Sequence, residues 1–154
     1  MTERYRAIII KDGKLVVMER HKNGRHYWVF PGGGLEGNET PEECCAREVM
    51  EEFGIVVKVK NMIYFMEQAD TLQGFFVCDW ISGDIHKTDA VEYTSYKPDV
   101  YGTYNPTEIN LNELDKYPTL YPKEIAMQLK QDLKKFGIKL DDRPLLKFKL
   151  DMSE

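Results

Sequence analysis

"FPGGGLEGNETPEECCAREVMEEFGI", residues 30–55, is the stretch on which the reading of this chain turns. Its second half carries complete helix punctuation. Thr40 fits the N-cap, Pro41 the first helical position, Glu43 closes a capping box, and Gly54 fits the C-terminal stop. At about 100° per residue, Ala46, Val49, Met50 and Phe53 fall on one side, the face expected to pack on a sheet. Glu48, Glu51 and Glu52 then share another face at i, i+3 and i+4. Like charges at that spacing cost about 0.2–0.5 kcal/mol per pair. Glu51 and Glu52 also lie in the last turn, where the helix dipole disfavours anions by about 0.3–1 kcal/mol each. A solvated face tolerates these costs through screening. A hard cation removes them, since three clustered carboxylates match what Mg²⁺ or Mn²⁺ accepts. On geometry alone both readings stay open.

The wider spacing carries a resemblance. Gly33, Glu39, Arg47-Glu48-Val49, Glu51-Glu52 and Gly54-Ile55 fall at the positions of G-x5-E-x7-R-E-U-x-E-E-x-G-U, where U is a bulky aliphatic. On these residues the chain resembles the Nudix hydrolases, and "WVFPGG" is similar to the family's usual lead-in. The resemblance implies an α/β fold: an α/β/α sandwich with a mixed β-sheet and a catalytic loop-helix-loop. It also implies hydrolysis of a phosphoanhydride in a nucleoside diphosphate linked to another moiety, with Mg²⁺ or Mn²⁺ as cofactor. By position, Glu51 and Glu52 resemble the core metal ligands, and Glu48 a further ligand or the base that orients water. Arg47 resembles the arginine that orients the glutamates, with Glu39 or Glu43 as its partner. The Gly32 carbonyl is a further metal oxygen in some relatives, and Gly33 and Gly34 are expected to turn tightly beside the helix start. Many relatives add a later carboxylate, for which Glu92 and Glu108 are the candidates. Arg20 stands where relatives place a phosphate-binding basic residue.

Working outward, "RAIIIKDGKLVVMER" reads as a hairpin about Asp12-Gly13, and "YWVFPGG" as a strand ended by Pro31 and the glycines. Strands are expected around "IVVKVKNMIYFMEQ" and "GFFVCDWISGD". A last helix should run from about Lys123 to Phe136 after Pro122, with Ile125, Ala126, Leu129, Leu133 and Phe136 on its apolar side. Residues 85–110 are polar, aromatic-rich and resist assignment. The expectation is one domain over residues 1–154.

Composition narrows the partners. A net charge of −5 argues against a nucleic-acid backbone or anionic membrane as the main partner. No apolar run approaches the ~18 residues of a membrane span, and the N-terminus does not read as a signal peptide, so the cytoplasm is the expected location. Cys44, Cys45 and Cys78 lack C-x-x-C spacing and read as plain thiols. His21, His26 and His86 show no ligand spacing and read as surface or loop histidines, His26 being near enough to the site strand to meet substrate. "GGGLEGNET" lacks the Gly-Lys-Ser/Thr ending of a P-loop.

The substrate is less legible. A base could stack on Tyr27, Trp28, Tyr93, Tyr96, Tyr101 or Tyr104, whereas Phe75, Phe76 and Trp80 read as core. A small nucleotide, such as a modified nucleoside triphosphate, is the first expectation. A nucleotide-sugar or ADP-ribose pyrophosphatase, or a non-catalytic nucleotide-sensing module, is the alternative. Relatives are often dimers, so a homodimer is left open.

Overall fold

The hairpin about Asp12-Gly13 forms, with both residues at positive φ (54° and 75°), as a tight turn between twisted strands requires. A computed structural model describes residues 2–85, 102–137 and 139–150. Glu92, His86, Tyr93, Tyr96 and Tyr101 lie outside the described residues. Strands β1 (Thr2–Lys11) and β2 (Lys14–Lys22) pair only next to the turn, Ile10 with Leu15 and Lys11 with Lys14, and then diverge. Each builds its own half of a mixed sheet. On one side of β1 runs β6 (Thr71–Gly83) in parallel; on the other, β4 (Gly32–Gly34) pairs antiparallel. Beyond β6 come the antiparallel β5 (Ile55–Gln68) and then β9 (Leu146–Leu150), parallel to β5. On the other half, β2 lies between β3 (Arg25–Val29) and β7 (Thr103–Asn110), with β8 (Leu120–Tyr121) beside β3.

The helices cover opposite faces. Helix α1 (Pro41–Phe53) packs Cys44, Cys45, Val49 and Phe53 with Tyr5, Ala7, Ile9, Val16 and Met18. Helix α2 (Lys123–Phe136) packs Ile125 and Leu129 with Ile8, Leu15, Val17, Phe30 and Phe75. Because β1 is buried on both faces, its run Ala7-Ile8-Ile9 is apolar without alternation. The result is the expected α/β/α sandwich. Helix α1 has the caps read from the sequence: Thr40 accepts from the Glu43 N–H, Glu43 accepts from the Thr40 N–H, and Gly54 adopts φ 72°.

Several expectations need correction. Met50 is 45% exposed and does not join the inner face of α1; the two small thiols Cys44 and Cys45 fill that space, and all three cysteines are free and buried. Gly33 and Gly34 do not make a tight turn but extend as β4 along β1, Gly33 opposite Tyr5 and Gly34 opposite Arg4. The buried centre of the inward stripe on α2 includes Asp132, which accepts from the Tyr64 hydroxyl at 2.5 Å and from Arg143 Nε at 2.8 Å. Residues 103–110, hidden in the unassigned stretch, form an edge strand. An edge tolerates Pro106 and a polar sequence, which is why the segment carries no strand pattern.

Candidate active site

Helix α1 meets the sheet at the β4 glycines, and the site is built at that contact. Gly32 has φ 142°, and a Cβ there would collide with the backbone of Tyr5 and Arg6. Gly33 has no such dihedral demand; a Cβ there would collide with the Glu48 carboxylate. The bare backbone of β4 therefore lets Glu48 and Glu52 lie against it. The Gly32 N–H donates to Glu52 Oε1 at 3.2 Å, so both residues belong to one cluster.

Arg47 organises the outer side. Its Nε and Nη2 donate to the two Glu39 oxygens at 3.0 and 2.9 Å, and Nη2 also donates to the Gly34 carbonyl at 3.1 Å. Its Nη1 reaches Glu51 at 3.1 Å and Glu48 at 3.4 Å. Glu43, the other expected partner, is engaged at the N-cap instead. The Arg47 hydrogen bonds hold Glu39 down to about 2, so it remains an anion at any physiological pH.

The inner side has the opposite electrostatics. Burial pushes Glu52 up to about 7, with repulsion from Glu48 and Glu51 adding to it against the Gly32 N–H and Arg6. Burial also raises Glu48. These two carboxylates resist ionisation because burial strips them of water, and carboxylate oxygens held together in that way are the donor set a hard divalent cation fits. Glu51 is more exposed and leans to Arg47. The three glutamates thus share a helix face without converging on one point. Gly32 stands beside them.

Arg6 is a site residue that sequence reasoning missed. It is half-buried in β1 opposite Gly32, donates to the Phe30 carbonyl at 2.9 Å and to Gln73 Oε1 at 2.7 Å, and stabilises the charged form of Glu52. Burial lowers its guanidinium to about 10, still cationic at neutral pH. The available signal was a charged residue directly before the apolar run "AIII".

Pairing places the other candidates. Arg20 lies opposite Tyr27 on β3 and Tyr104 on β7, with its guanidinium 3.8 Å from the Tyr104 ring centre and Nε donating to the Thr103 carbonyl. Glu108 lies opposite Val16. Since Val16 and Met18 pack with α1, Arg20, Tyr27, Tyr104 and Glu108 belong to the face that carries this helix. Trp28 does not. It points to the opposite face, where it packs edge-on against Tyr117, so the fold does not bring it to the glutamates.

The model of the NUDIX domain matches residues 1–137, and the chain belongs to the Nudix hydrolase family. It is similar to an 8-oxo-dGTP diphosphatase of Proteus vulgaris, 40% identical over 68 residues, 41% of this chain and 59% of that protein. It is also similar to an ADP-ribose pyrophosphatase of Methanocaldococcus jannaschii, 33% identical over 90 residues, 54% of this chain and 53% of that protein. The matches thus span little more than half the length of these curated relatives. Among solved structures, a NUDIX hydrolase from Nitrosomonas europaea superposes with a TM-score of 0.69 at 16% identity, covering 97% of this chain and 78% of that one. That likeness establishes the fold. Nudix hydrolases generally use divalent metal ions. No helix among the described residues is long and apolar enough to cross a membrane.

Proposed function

We propose that the chain hydrolyses a phosphoanhydride bond in a nucleoside diphosphate linked to another moiety, with a small nucleotide such as a modified nucleoside triphosphate as substrate. The observation that carries this reading is the pair of desolvated carboxylates, Glu48 and Glu52, backed by Gly32 and Gly33 and flanked by Arg6 and Arg47. Glu48, Glu51, Glu52 and the Gly32 carbonyl would hold Mg²⁺ or Mn²⁺. Such an ion supplies charge neutralisation at the phosphates and acidifies a bound water. Arg47 positions the helix by fixing Glu39 and Gly34, and keeps Glu51 and Glu48 in a defined orientation. Glu48, whose burial raises its proton affinity, suits the base that orients the attacking water.

The substrate reading rests on Arg20, Tyr27 and Tyr104, which cluster on the same sheet face and offer cationic and aromatic surface to a phosphate and a base. Glu92 and Glu108 remain the candidates for an additional carboxylate; Glu108 lies on the face that carries α1, and Glu92 lies outside the described residues. ADP-ribose or a nucleotide-sugar is the second reading, favoured by the likeness to the Methanocaldococcus jannaschii pyrophosphatase. The proposed site of action is the cytoplasm, with no membrane partner.

The deciding experiment follows phosphate or nucleotide release from modified nucleoside triphosphates, ADP-ribose, nucleotide-sugars and dinucleoside polyphosphates. It is run with Mg²⁺ or Mn²⁺, beside Glu52→Gln. Metal-dependent turnover that disappears in the variant supports the reading and identifies the substrate class. Silence across the panel with neither metal nor nucleotide bound overturns it. Nucleotide binding without turnover replaces it with a sensing module.

A further inference from the structure

The β2–β3 turn is Asn23-Gly24, both at positive φ (53° and 74°), and it folds the hairpin so that His21 and His26 stand directly opposite each other. Their rings stack at 4.0 Å with 15° between planes. The His26 ring also contacts the Trp28 ring, 4.2 Å between centres. Glu19, two residues before His21, projects from the same face of β2. Its Oε2 lies 2.7 Å from His26 Nε2, while Oε1 accepts from the Asn105 amide on β7 at 2.8 Å. Glu19 offers one ligand atom and each histidine another, and all three lie within 4.8 Å of one another. Among the described residues, no other set of three His, Cys, Asp or Glu side chains meets that condition.

We propose that Glu19, His21 and His26 form a second metal site, separate from the Nudix glutamates, that takes a borderline divalent cation, Zn²⁺ above all. Two imidazoles and one carboxylate suit Zn²⁺, whereas Mg²⁺ prefers an all-oxygen shell, so the two sites sort ions by chemistry. Zinc–ligand bonds of about 2.0–2.1 Å in a tetrahedron place ligand atoms about 3.3 Å apart. The Glu19–His26 pair must open slightly from its hydrogen-bonded 2.7 Å, and His21 must close by side-chain rotation. The ion replaces the proton shared by Glu19 and His26, and water completes the shell. The Asn105 amide fixes the Glu19 carboxylate, and the Trp28 ring supports the His26 ring, as outer partners orient ligands at metal sites. At 23% side-chain exposure for Glu19 and 45% for His26, solvent can deliver the ion. A bound ion would clip β2 to β3, the hairpin whose reverse face carries Arg20 and Tyr27.

The test is calorimetric titration of the full chain with Zn²⁺ in excess Mg²⁺, for the wild type, His21→Ala, His26→Ala and Glu52→Gln. Circular dichroism verifies that each variant is folded. One saturable equivalent is expected in the wild type and in Glu52→Gln. Each histidine variant should weaken it at least tenfold. Co²⁺ in place of Zn²⁺ should give visible absorption of a four-coordinate site, abolished by His26→Ala. Lack of a saturable equivalent above Mg²⁺, retention of affinity in the folded histidine variants, or loss of it in Glu52→Gln would each overturn the proposal. None of these outcomes depends on turnover, so the site stands or falls apart from the hydrolase reading.

Discussion

Arg47 holds both carboxylate oxygens of Glu39, through Nε at 3.0 Å and Nη2 at 2.9 Å, from eight residues further along the chain. The same guanidinium reaches Gly34, Glu48 and Glu51, so one side chain ties the loop before α1 to the glutamate face of the helix. A lysine keeps the charge but cannot reproduce this planar, forked set of bonds. Arg47→Lys is expected to lower kcat/KM about 10- to 100-fold, the range seen for outer partners of metal ligands, with the fold retained. Steady-state kinetics beside a thermal melt would check it.

Glu52 gives stability a defined dependence on pH. Its pKa is raised by burial to about 7 from 4.5, so the folded chain holds a proton that the unfolded chain has released. Stability is therefore greatest below about pH 4.5 as far as this group is concerned, and is lost as pH rises through about 7. Without added divalent metal, Glu52→Gln should raise stability at pH 8 by about 2–3 kcal/mol and flatten that slope. Adding Mg²⁺ to the wild type should recover much of the loss, because an ion bound to the folded state stabilises it by mass action. Urea unfolding at pH 5 and 8, with Mg²⁺ or chelator, reads both effects.

Gly33→Ala tests the close contact between β4 and α1. A Cβ at Gly33 collides with the Glu48 carboxylate, and the backbone there does not need positive φ. The expected cost is about 1–3 kcal/mol, as for other overpacked sites, accompanied by a fall in kcat. An unchanged kcat would show that the Glu48 position is not set by this contact.

Arg20→Ala should act on substrate binding. It removes the cation from the Tyr27–Tyr104 cluster without touching the glutamates. A KM about tenfold higher with kcat little changed is expected, equivalent to about 1.4 kcal/mol of ground-state binding. Trp28→Leu, on the opposite face, should leave KM unchanged.

Away from the site, Asp132 joins Tyr64 on β5 to Arg143 beyond α2. Asp132→Ala leaves the half-buried Arg143 without its carboxylate, with only the Pro144 carbonyl still accepting from it, and a loss of about 3 kcal/mol is expected, with turnover retained below the melting transition. Chemical denaturation would measure it.

What the sequence determined by itself was whatever depends on near neighbours. The caps of α1, the Asp12-Gly13 turn, the bounds of α2 and the shared helix face of Glu48, Glu51 and Glu52 all follow from spacings of a few residues and local backbone preference. The Arg47–Glu39 pair was foreseen as one of two options, because both partners fall inside the same short motif. What only the tertiary structure decided depends on register and on which strand pairs with which. Tyr27 and Trp28 are adjacent in sequence, yet alternation along β3 sends one to the α1 face and the other to the α2 face. Arg6 and Gly32, like Glu19 and Asn105, are brought opposite each other by strand pairing alone. The sequence did carry one unread local clue: Asn23-Gly24 lies midway between His21 and His26, and a two-residue turn there makes them face each other. The remainder was illegible because a one-residue shift in pairing reverses every side chain on a strand, and long-range packing alone selects the register.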